Sequence, residues 1–380
     1  MDFSFNDHQL LIRNTVRQFM DTEVRPHVKD WERTDCFPLD AIQKLGALGC
    51  CGMLVPEEWG GPGFDTISYV LMLEEVARVH VAISTALGVT NSAVQLPILA
   101  FATTEQKNRY LKRLAAGEII GAFCLTEPAA GSDAAGIQAR AVREGDNYKL
   151  SGTKTWVTNG SSAGVFIVFA KTRPELGGKG ITAFLAEPKF PGFTVGRHED
   201  KMGQRSSPSV EIILNDCVVP AANRLGEEGQ GLKIALSALD GGRIGIAAQA
   251  VGLAQAALDE SAKFARSRKA FGKSIGEFQA IQWMLADMHT EIEAARGLLY
   301  NAAALKDSGG RMGSAASRAK LYASEMVNRV VYKAVQIHGS QGYSRESEVE
   351  RMYRDARVIS IYEGTSEIQR TIIARHLLEK

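Results

Sequence analysis

One acidic residue near the end of the chain has the surroundings of a catalytic base. Glu363 follows Tyr362 and stands just before a helix start, which the capping-box pair Ser366 and Gln369 predicts. A carboxylate that projects from such a loop into an apolar cavity has a raised pKa, because burial penalises its charged form. It can then accept a proton near neutral pH. On spacing alone, a solvated loop acid is the alternative interpretation.

Two segments in the middle of the chain carry residue types that hold cofactors. The segment 126–133 leaves a predicted strand and combines hydroxyls, glycine amides and a turn-forming proline, which suits a phosphate or cofactor cradle. A simple turn explains it equally well. The segment 154–159 ends another predicted strand, where Trp156 can cover a flat heteroaromatic ring and Thr158 can bond to its edge. A plain core position is the alternative for Trp156.

Two later segments end predicted helices and carry groups suited to an anionic ligand. The segment 266–273 surrounds Phe271 with cations and is followed by Gln279, a combination that fits a diphosphate and an adenine. Cations near a helix C-terminus also offset the helix dipole, which is the competing explanation. The segment 336–342 includes Gly339, and glycine is common where a helix ends.

The periodicity of apolar residues divides the chain into three parts that must position these segments. Apolar residues recur at helical spacing from residue 5 to about 117 and change to short strand-like runs between about 118 and 222. Alanine-rich helical segments follow at roughly 232–268, 278–307, 314–338 and 366–379. We therefore predict an α+β fold with an N-terminal helical domain (1–120), a middle antiparallel β-barrel domain (121–230) and a C-terminal four-helix bundle (231–380).

Composition and charge exclude several classes of function. The chain has 380 residues, and its 44 basic and 43 acidic side chains give a net charge of +1, which provides no broad field for nucleic acid or an anionic membrane. The five cysteines form no C-x-x-C pair and the histidines no H-x-x-x-H pair, so we expect no metal. The acidic start is unlike a signal peptide, and no apolar run reaches about 18 residues. We expect a soluble, cytoplasmic protein.

Four of these segments, taken in order, resemble motifs of the acyl-CoA dehydrogenase family, and the likeness runs from about residue 5 to residue 380. The wording is closest to that of the short-chain, butyryl-CoA dehydrogenase-like members. The motifs are T-E-P-x-A-G-S-D at 126–133, K-x-W-V-T-N at 154–159, R-x-x-F-G at 268–272 and Y-E-G-T-S-E at 362–367.

The resemblance implies an FAD site shared between two subunits. One subunit is expected to contact the flavin through residues of the β domain, namely Phe123, Leu125, Thr126, Gly131, Ser132, Trp156 and Thr158. Thr365 and Glu367 are expected near it in the same subunit. The neighbouring subunit is expected to reach the adenosine diphosphate half through Arg268, Phe271, Gln279, Gln336 and Gly339.

The resemblance also implies the reaction. Glu363 matches the base that removes the α-proton of an acyl-CoA thioester while FAD takes the β-hydrogen as hydride, which yields a trans-2-enoyl-CoA. The thioester oxygen is bound by a backbone N–H at the base, assigned here to Gly364, while Ser132 and Arg243 match positions that hold the substrate. The implied partners are an electron-transfer flavoprotein and further copies of the chain, usually in a homotetramer.

Two positions depart from relatives. One branched-chain subgroup places its base where this chain has Gly242, and Ser340 stands where relatives usually have a second glycine. With Glu363 present, the commoner arrangement is expected, with short or branched acyl chains as substrates. The alternatives are an acyl-CoA oxidase, another flavin enzyme of the same fold, and a non-catalytic acyl-CoA-binding scaffold.

Overall fold

The computed structural model describes residues 5–310 and 312–378 and begins with a helical part, as predicted. An Asn6–Gln9 capping box starts the first helix, and Thr103 with Gln106 starts the last helix of this part in the same way. The helices are Asp7–Phe19 (α1), Val28–Thr34 (α2), Leu39–Ala47 (α3), Thr66–Val79 (α4), Val81–Gly88 (α5), Leu96–Phe101 (α6) and Thr104–Ala115 (α7). The segment 56–63 is a loop with one short turn at Glu57–Trp59.

One helical stretch of this part was not anticipated as a candidate membrane span. Val81–Phe101, which joins α5 and α6 through the π-helical segment Val89–Gln95, is long and apolar enough to cross a membrane by length and composition. Of its apolar window, 89% is buried inside the protein, which is the behaviour of a core helix. The sequence reading missed this stretch because polar residues interrupt its apolar run.

The middle part is one sheet of eight strands. They are Gly121–Cys124 (β1), Arg140–Glu144 (β2), Asn147–Thr158 (β3), Val165–Lys171 (β4), Ile181–Ala186 (β5), Phe193–His198 (β6), Ser209–Pro220 (β7) and Arg224–Leu225 (β8). The order is β6-β7-β3-β2-β4-β5-β8, with β1 pairing parallel to β4 and most other pairs antiparallel. The predicted antiparallel β domain is confirmed, although β2, β6 and β8 were missed because charged or polar residues break their apolar patterns.

The described C-terminal part contains five helices, and four of them lie close to the predicted ranges. Residue 379 of the last predicted range lies outside the described residues. The helices are Gly231–Ser267 (α8), Gln279–Asp307 (α9), Gly313–His338 (α10), Glu348–Ala356 (α11) and Ser366–Leu378 (α12). The short α11 was not predicted. A two-stranded ribbon, Lys269–Ala270 (β9) with Lys273–Ser274 (β10), follows α8.

Glycines on α8 set how closely it approaches the N-terminal helices. A Cβ at Gly252 would overlap the carbonyl oxygen of Glu74 on α4, and one at Gly245 would lie 2.9 Å from the hydroxyl oxygen of Tyr69. Small residues therefore let the axes of α8 and α4 approach closely, as their sequence suggested. This close packing fixes the position of α8, which forms one side of the site described next.

Candidate active site

Glu363 lies in a tight turn just before α12. Its φ is 52°, and that of Gly364 is 94°, so both residues occupy the left-handed region. For a residue with a side chain, that conformation is unfavourable and persists only where the surroundings impose it. Two side chains hold the turn: the Lys320 ammonium and the Gln369 amide donate to the Gly364 carbonyl oxygen at 2.8 and 3.0 Å.

The predicted capping box of Ser366 and Gln369 is wrong in detail. The Thr365 hydroxyl oxygen accepts a hydrogen bond from the backbone N–H of Ile368 at 3.4 Å, so Thr365 serves as the N-cap of α12. The Ser366 hydroxyl instead donates to Glu325 at 2.5 Å. The helix start was predicted correctly, but Gln369 stabilises the turn that carries Glu363.

One oxygen of the Glu363 carboxylate is shielded from solvent, while the residue as a whole is half-buried. Its Oε2 is buried and has no hydrogen-bond partner within residues 5–310 and 312–378. Burial raises the pKa of Glu363 from 4.5 to about 7, while the positive charges of Lys320 and Arg243 act against that rise. A carboxyl group with this pKa is well matched to accept a proton near neutral pH.

Two cations stand near the carboxylate, and the sequence analysis missed one of them. Arg243 is 4% exposed and forms an ion pair with Asp240 one turn earlier on α8. Lys320 on α10 is fully buried, and burial lowers its pKa to about 8. A lysine within an Ala-rich helix reads as a solvated position, so only the three-dimensional structure reveals its contact with the Glu363 turn.

Gly242 on α8 faces the Glu363 carboxylate directly. A Cβ atom at residue 242 would overlap Glu363 Oε2 and lie 2.8 Å from Glu363 Cδ. No side chain fits there while Glu363 keeps this conformation. The glycine therefore leaves the space that the Glu363 carboxylate occupies. Residue 242 carries no alternative base, as the sequence indicated.

A small cavity of about 90 Å³ opens beside the carboxylate. Phe123 and Thr158 line it from the β domain, so two of the residues predicted to face the flavin meet Glu363 there. Gln249 and Tyr362 form a polar part of the wall, where the Tyr362 hydroxyl donates to Gln249 Oε1 at 2.7 Å. Gln249, Thr85 and Ile246 were not singled out from the sequence, because nothing in it indicates which helix faces turn toward the cavity.

The two β-domain motifs form one braced surface. The buried Lys154 ammonium donates to Glu127 at 2.7 Å and to the Leu125 carbonyl oxygen at 3.1 Å, and Glu127 in turn accepts from the backbone N–H of Ala139 at 3.0 Å. The backbone N–H of Thr155 donates to the Thr126 carbonyl oxygen at 2.9 Å. Lys154 and Glu127 therefore hold the two segments together beneath the surface.

The outer side of this surface has the features of a cradle for a flat ring. Trp156 is 58% exposed with a φ of 58°, so it is not a core residue. Gly131 and Ser132 are exposed, and a Cβ at Gly131 would meet nothing within 4 Å. The exposed indole and the open glycine backbone both fit the flavin-facing role that the resemblance implies, whereas Leu125 is buried.

Arg268, one of the residues predicted for the adenosine diphosphate, lies far from Glu363 of the same chain. Arg268 follows the end of α8, 26 residues beyond Gly242, which is about 39 Å along a straight helix. Phe271 is 95% exposed, and Gln279, Gln336 and the Gly339 turn are exposed too. Stacking of Phe264 on His338, with centroids 4.3 Å apart, sets the ends of α8 and α10 side by side.

The remaining predicted positions adjoin the Glu363 turn or the surface. Thr365 is half-buried at the start of α12, and Glu367 is exposed in its first turn. Ser340 is exposed within a short 3-10 turn after α10, and its φ is not in the left-handed region, in contrast to the 59° of Gly339. Serine at residue 340 therefore causes no backbone strain.

A larger cleft of about 740 Å³ lies elsewhere, between α1, α4, α8 and α9. Its charged side chains neutralise one another, since Arg17 donates to Glu75 at 2.9 Å and Arg296 donates to Glu74 at 3.3 Å. Its lining includes none of the predicted site residues. Predicted site residues therefore line the smaller cavity and not the larger cleft.

Comparison with known proteins finds similarity along nearly the whole chain. Family models described as the N-terminal, middle and C-terminal domains of acyl-CoA dehydrogenase match residues 6–118, 122–217 and 229–378. The structure of butyryl-CoA dehydrogenase from Megasphaera elsdenii is similar, with a TM-score of 0.98 and 43% identity over 100% of both chains.

Two further relatives extend the comparison. The CarC subunit of the caffeyl-CoA reductase–Etf complex of Acetobacterium woodii is 45% identical over 99% of this chain and 100% of its own length. A glutaryl-CoA dehydrogenase from Mycobacterium smegmatis in complex with FADH2 has a TM-score of 0.94 at 33% identity, covering 99% of this chain and 96% of that one. With all three domain models matched in order, this chain belongs to the acyl-CoA dehydrogenase family, whose members are FAD-dependent oxidoreductases.

Proposed function

We propose that this enzyme dehydrogenates short acyl-CoA thioesters at the α,β-bond, with Glu363 as the base that takes the α-proton. The observation that carries the proposal is the buried, unpartnered Oε2 of Glu363, which borders a small cavity shared with Phe123 and Thr158 of the β domain. An acid with a pKa of about 7 is partly ionised at neutral pH and regains its proton readily.

The chain supplies several groups for this proton transfer. Lys320 and Gln369 fix the Gly364 carbonyl, and so they orient the turn that carries the base. The Gly364 N–H is assigned to the thioester oxygen, where a fixed donor stabilises the enolate as its charge develops. Arg243 and Ser132 are assigned to the CoA-bearing part of the substrate. FAD, when bound, supplies the hydride acceptor.

The size of the cavity supports a short acyl chain. About 90 Å³ is well below the range of about 300–1,000 Å³ that is usual for ligand sites. Gln249 and Tyr362 close part of its wall with a hydrogen bond, so a long chain has to displace both side chains. The likeness to a protein named butyryl-CoA dehydrogenase favours the same chain length.

The position of the exposed residues supports a flavin shared between two copies of the chain. In one subunit, the residues assigned to FAD are Trp156, Thr126, Gly131, Ser132, Phe123, Leu125, Thr158, Thr365 and Glu367. Arg268 lies about 39 Å along α8 from the base. The residues predicted for the adenosine diphosphate are therefore assigned to the flavin of a neighbouring subunit, namely Arg268, Phe271, Gln279, Gln336 and Gly339. We propose a homotetramer, with an electron-transfer flavoprotein as electron acceptor, in line with the Etf complex of the related CarC protein.

The direct test is anaerobic bleaching of the flavin in the purified protein by a panel of acyl-CoAs. Propionyl, isobutyryl, butyryl, isovaleryl and octanoyl thioesters separate straight from branched and short from medium chains. We expect rapid bleaching by butyryl-CoA and little by octanoyl-CoA. A yellow protein that no acyl-CoA bleaches would refute the proposed reaction while leaving the family assignment intact.

A further inference from the structure

The wall of the small cavity beside Glu363 contains a buried hydrogen-bond donor that nothing in residues 5–310 and 312–378 satisfies. Gln249 is fully buried, and its Oε1 accepts from the Tyr362 hydroxyl at 2.7 Å. Its Nε2 has no partner in the part of the chain that the structure describes. This nitrogen lies against Gly88, where an added Cβ would be 3.4 Å from it, and both residues line the cavity.

The neighbouring hydroxyl protons are directed elsewhere. The Thr85 hydroxyl donates to Gln204 Oε1 at 2.8 Å, and the Ser92 hydroxyl donates to the Gly88 carbonyl oxygen at 2.7 Å. Gln204 is itself anchored, because its backbone N–H donates to Asp355 at 2.5 Å. The oxygens of these hydroxyls keep acceptor lone pairs, but within the described residues none forms a hydrogen bond with Gln249 Nε2, so this amino group is left to be satisfied by whatever occupies the cavity.

The position of Gln249 suits the far end of a short acyl chain. Gly242 faces the Glu363 carboxylate, and Gln249 lies seven residues later on α8, which is two helical turns or about 10 Å. Side chains on a helix lean toward its N-terminus, so the Gln249 amide reaches back toward the base. An acyl chain that starts at Glu363 and passes Gly245 and Ile246 ends near Nε2.

The charge of the wall indicates what kind of group Nε2 receives. Among the described residues that line the cavity, Glu363 is the charged one. The positive charges of Arg243 and Lys320 stabilise its ionised carboxylate. No lining cation of this cavity, within the described residues, faces the Gln249 end. A terminal carboxylate is therefore poorly matched, whereas a neutral oxygen can accept from Nε2 without bringing charge into a buried site.

We propose that the preferred acyl chain carries a neutral hydrogen-bond acceptor, a hydroxyl or carbonyl oxygen, near its far end, and that Gln249 Nε2 binds it. The inference rests on the proposed acyl-CoA dehydrogenase function and names its substrate class. A purely apolar short chain leaves the donor unsatisfied or shared with a trapped water, and so it binds less well.

Matched pairs of thioesters test the proposal in the holoenzyme. The pairs are 4-hydroxybutyryl-CoA with pentanoyl-CoA and 5-hydroxypentanoyl-CoA with hexanoyl-CoA, in which a hydroxyl replaces a methyl of similar size. The measurement is kcat/KM for anaerobic flavin reduction, with butyryl-CoA as reference. We expect the hydroxyl member of at least one pair to be favoured about 5-fold or more, the scale of one hydrogen bond. A smaller ratio in both pairs would overturn the proposal.

Variants assign the preference to Gln249. Gln249→Met keeps the length of the side chain and removes the donor, so the ratio is expected to fall to about 1 or below. Gln249→Leu also removes the donor without adding a titratable group, and it serves if the methionine variant does not fold. The control is Gln255→Met on the same helix, outside the cavity, which should leave the ratio unchanged. A ratio that persists in both Gln249 variants would contradict the role of Nε2.

The test separates this inference from the proposed function. If butyryl-CoA reduces the flavin and the hydroxyl members are not preferred, the dehydrogenase function stands and the polar-tail inference fails. If none of the five thioesters reduces the flavin, both fail together.

Discussion

Replacement of Glu363 by glutamine should change how the stability of the protein depends on pH. Burial raises the pKa of Glu363 to about 7, against 4.5 for the unfolded chain. Between these values the folded protein retains a proton that the unfolded chain loses, so stability falls as pH rises. Below 4.5 and above about 7 the two states bind the same number of protons, and this contribution stays constant.

The magnitude follows from the two pKa values. Their difference corresponds to about 3 kcal/mol in the free energy of unfolding. Most of this stabilisation is lost between about pH 5 and pH 7.5. The entropy of unfolding is about 2.1 cal/mol/K per residue, which gives about 0.8 kcal/mol/K for 380 residues and hence a shift of about 4 °C in Tm. Glutamine does not titrate, so Glu363→Gln should gain about this much relative to wild type as pH rises.

Differential scanning calorimetry at pH 5, 6, 7 and 8, with both proteins at equal flavin content, measures this shift. The difference in Tm between the two proteins cancels the groups that titrate in both. Glu175→Gln is the control, because that side chain is exposed in the turn Pro174–Gly180 and has no assigned part in the site. A Tm difference between wild type and Glu363→Gln that is constant within about 1 °C would show that the carboxylate is not desolvated.

Three further substitutions test other parts of the site. Lys320→Met removes a positive charge that lowers the pKa of Glu363, so the rise of kcat/KM with pH should move up by about one pH unit; an unmoved profile would contradict this interaction. Gly242→Ala should slow flavin reduction by at least about 10-fold, because its Cβ would overlap the Glu363 carboxylate. Gly241→Ala should have little effect, because the nearest atom to its Cβ would be 3.2 Å away. Equal rates in the two variants would refute this reasoning. Arg268→Ala should lose FAD on dilution, measured as flavin retained after gel filtration, and full retention would argue against a contact across the subunit interface.

The division into three parts was predictable because the apolar period changes along the chain. α8, α9 and α10 lie within about one residue of the predicted ranges, since alanine-rich sequence with almost no proline leaves little freedom at their ends. β2 was missed because its sequence Arg-Ala-Val-Arg-Glu is mostly exposed and charged, with a single buried residue. Its strand conformation comes from pairing with β3, which local sequence does not encode.

The site was predictable where a motif carries it and not where packing creates it. Glu363 and Trp156 stand in recognisable motifs, and the structure shows one carboxylate buried and one indole exposed. Lys320 and Gln249 lie inside long helices whose sequences do not reveal which face meets the cavity. Their contacts depend on how α8 and α10 pack together, so they follow from the assembled fold and not from local pattern.

The central claim is that Glu363 removes the α-proton, and stopped-flow flavin reduction with butyryl-CoA deuterated at the α-carbon tests it most directly. The account predicts a primary isotope effect in wild type, a rate that rises with pH through about 7, and a loss of several orders of magnitude in Glu363→Gln at unchanged flavin content. Reduction of the flavin in Glu363→Gln at near wild-type rate would contradict it.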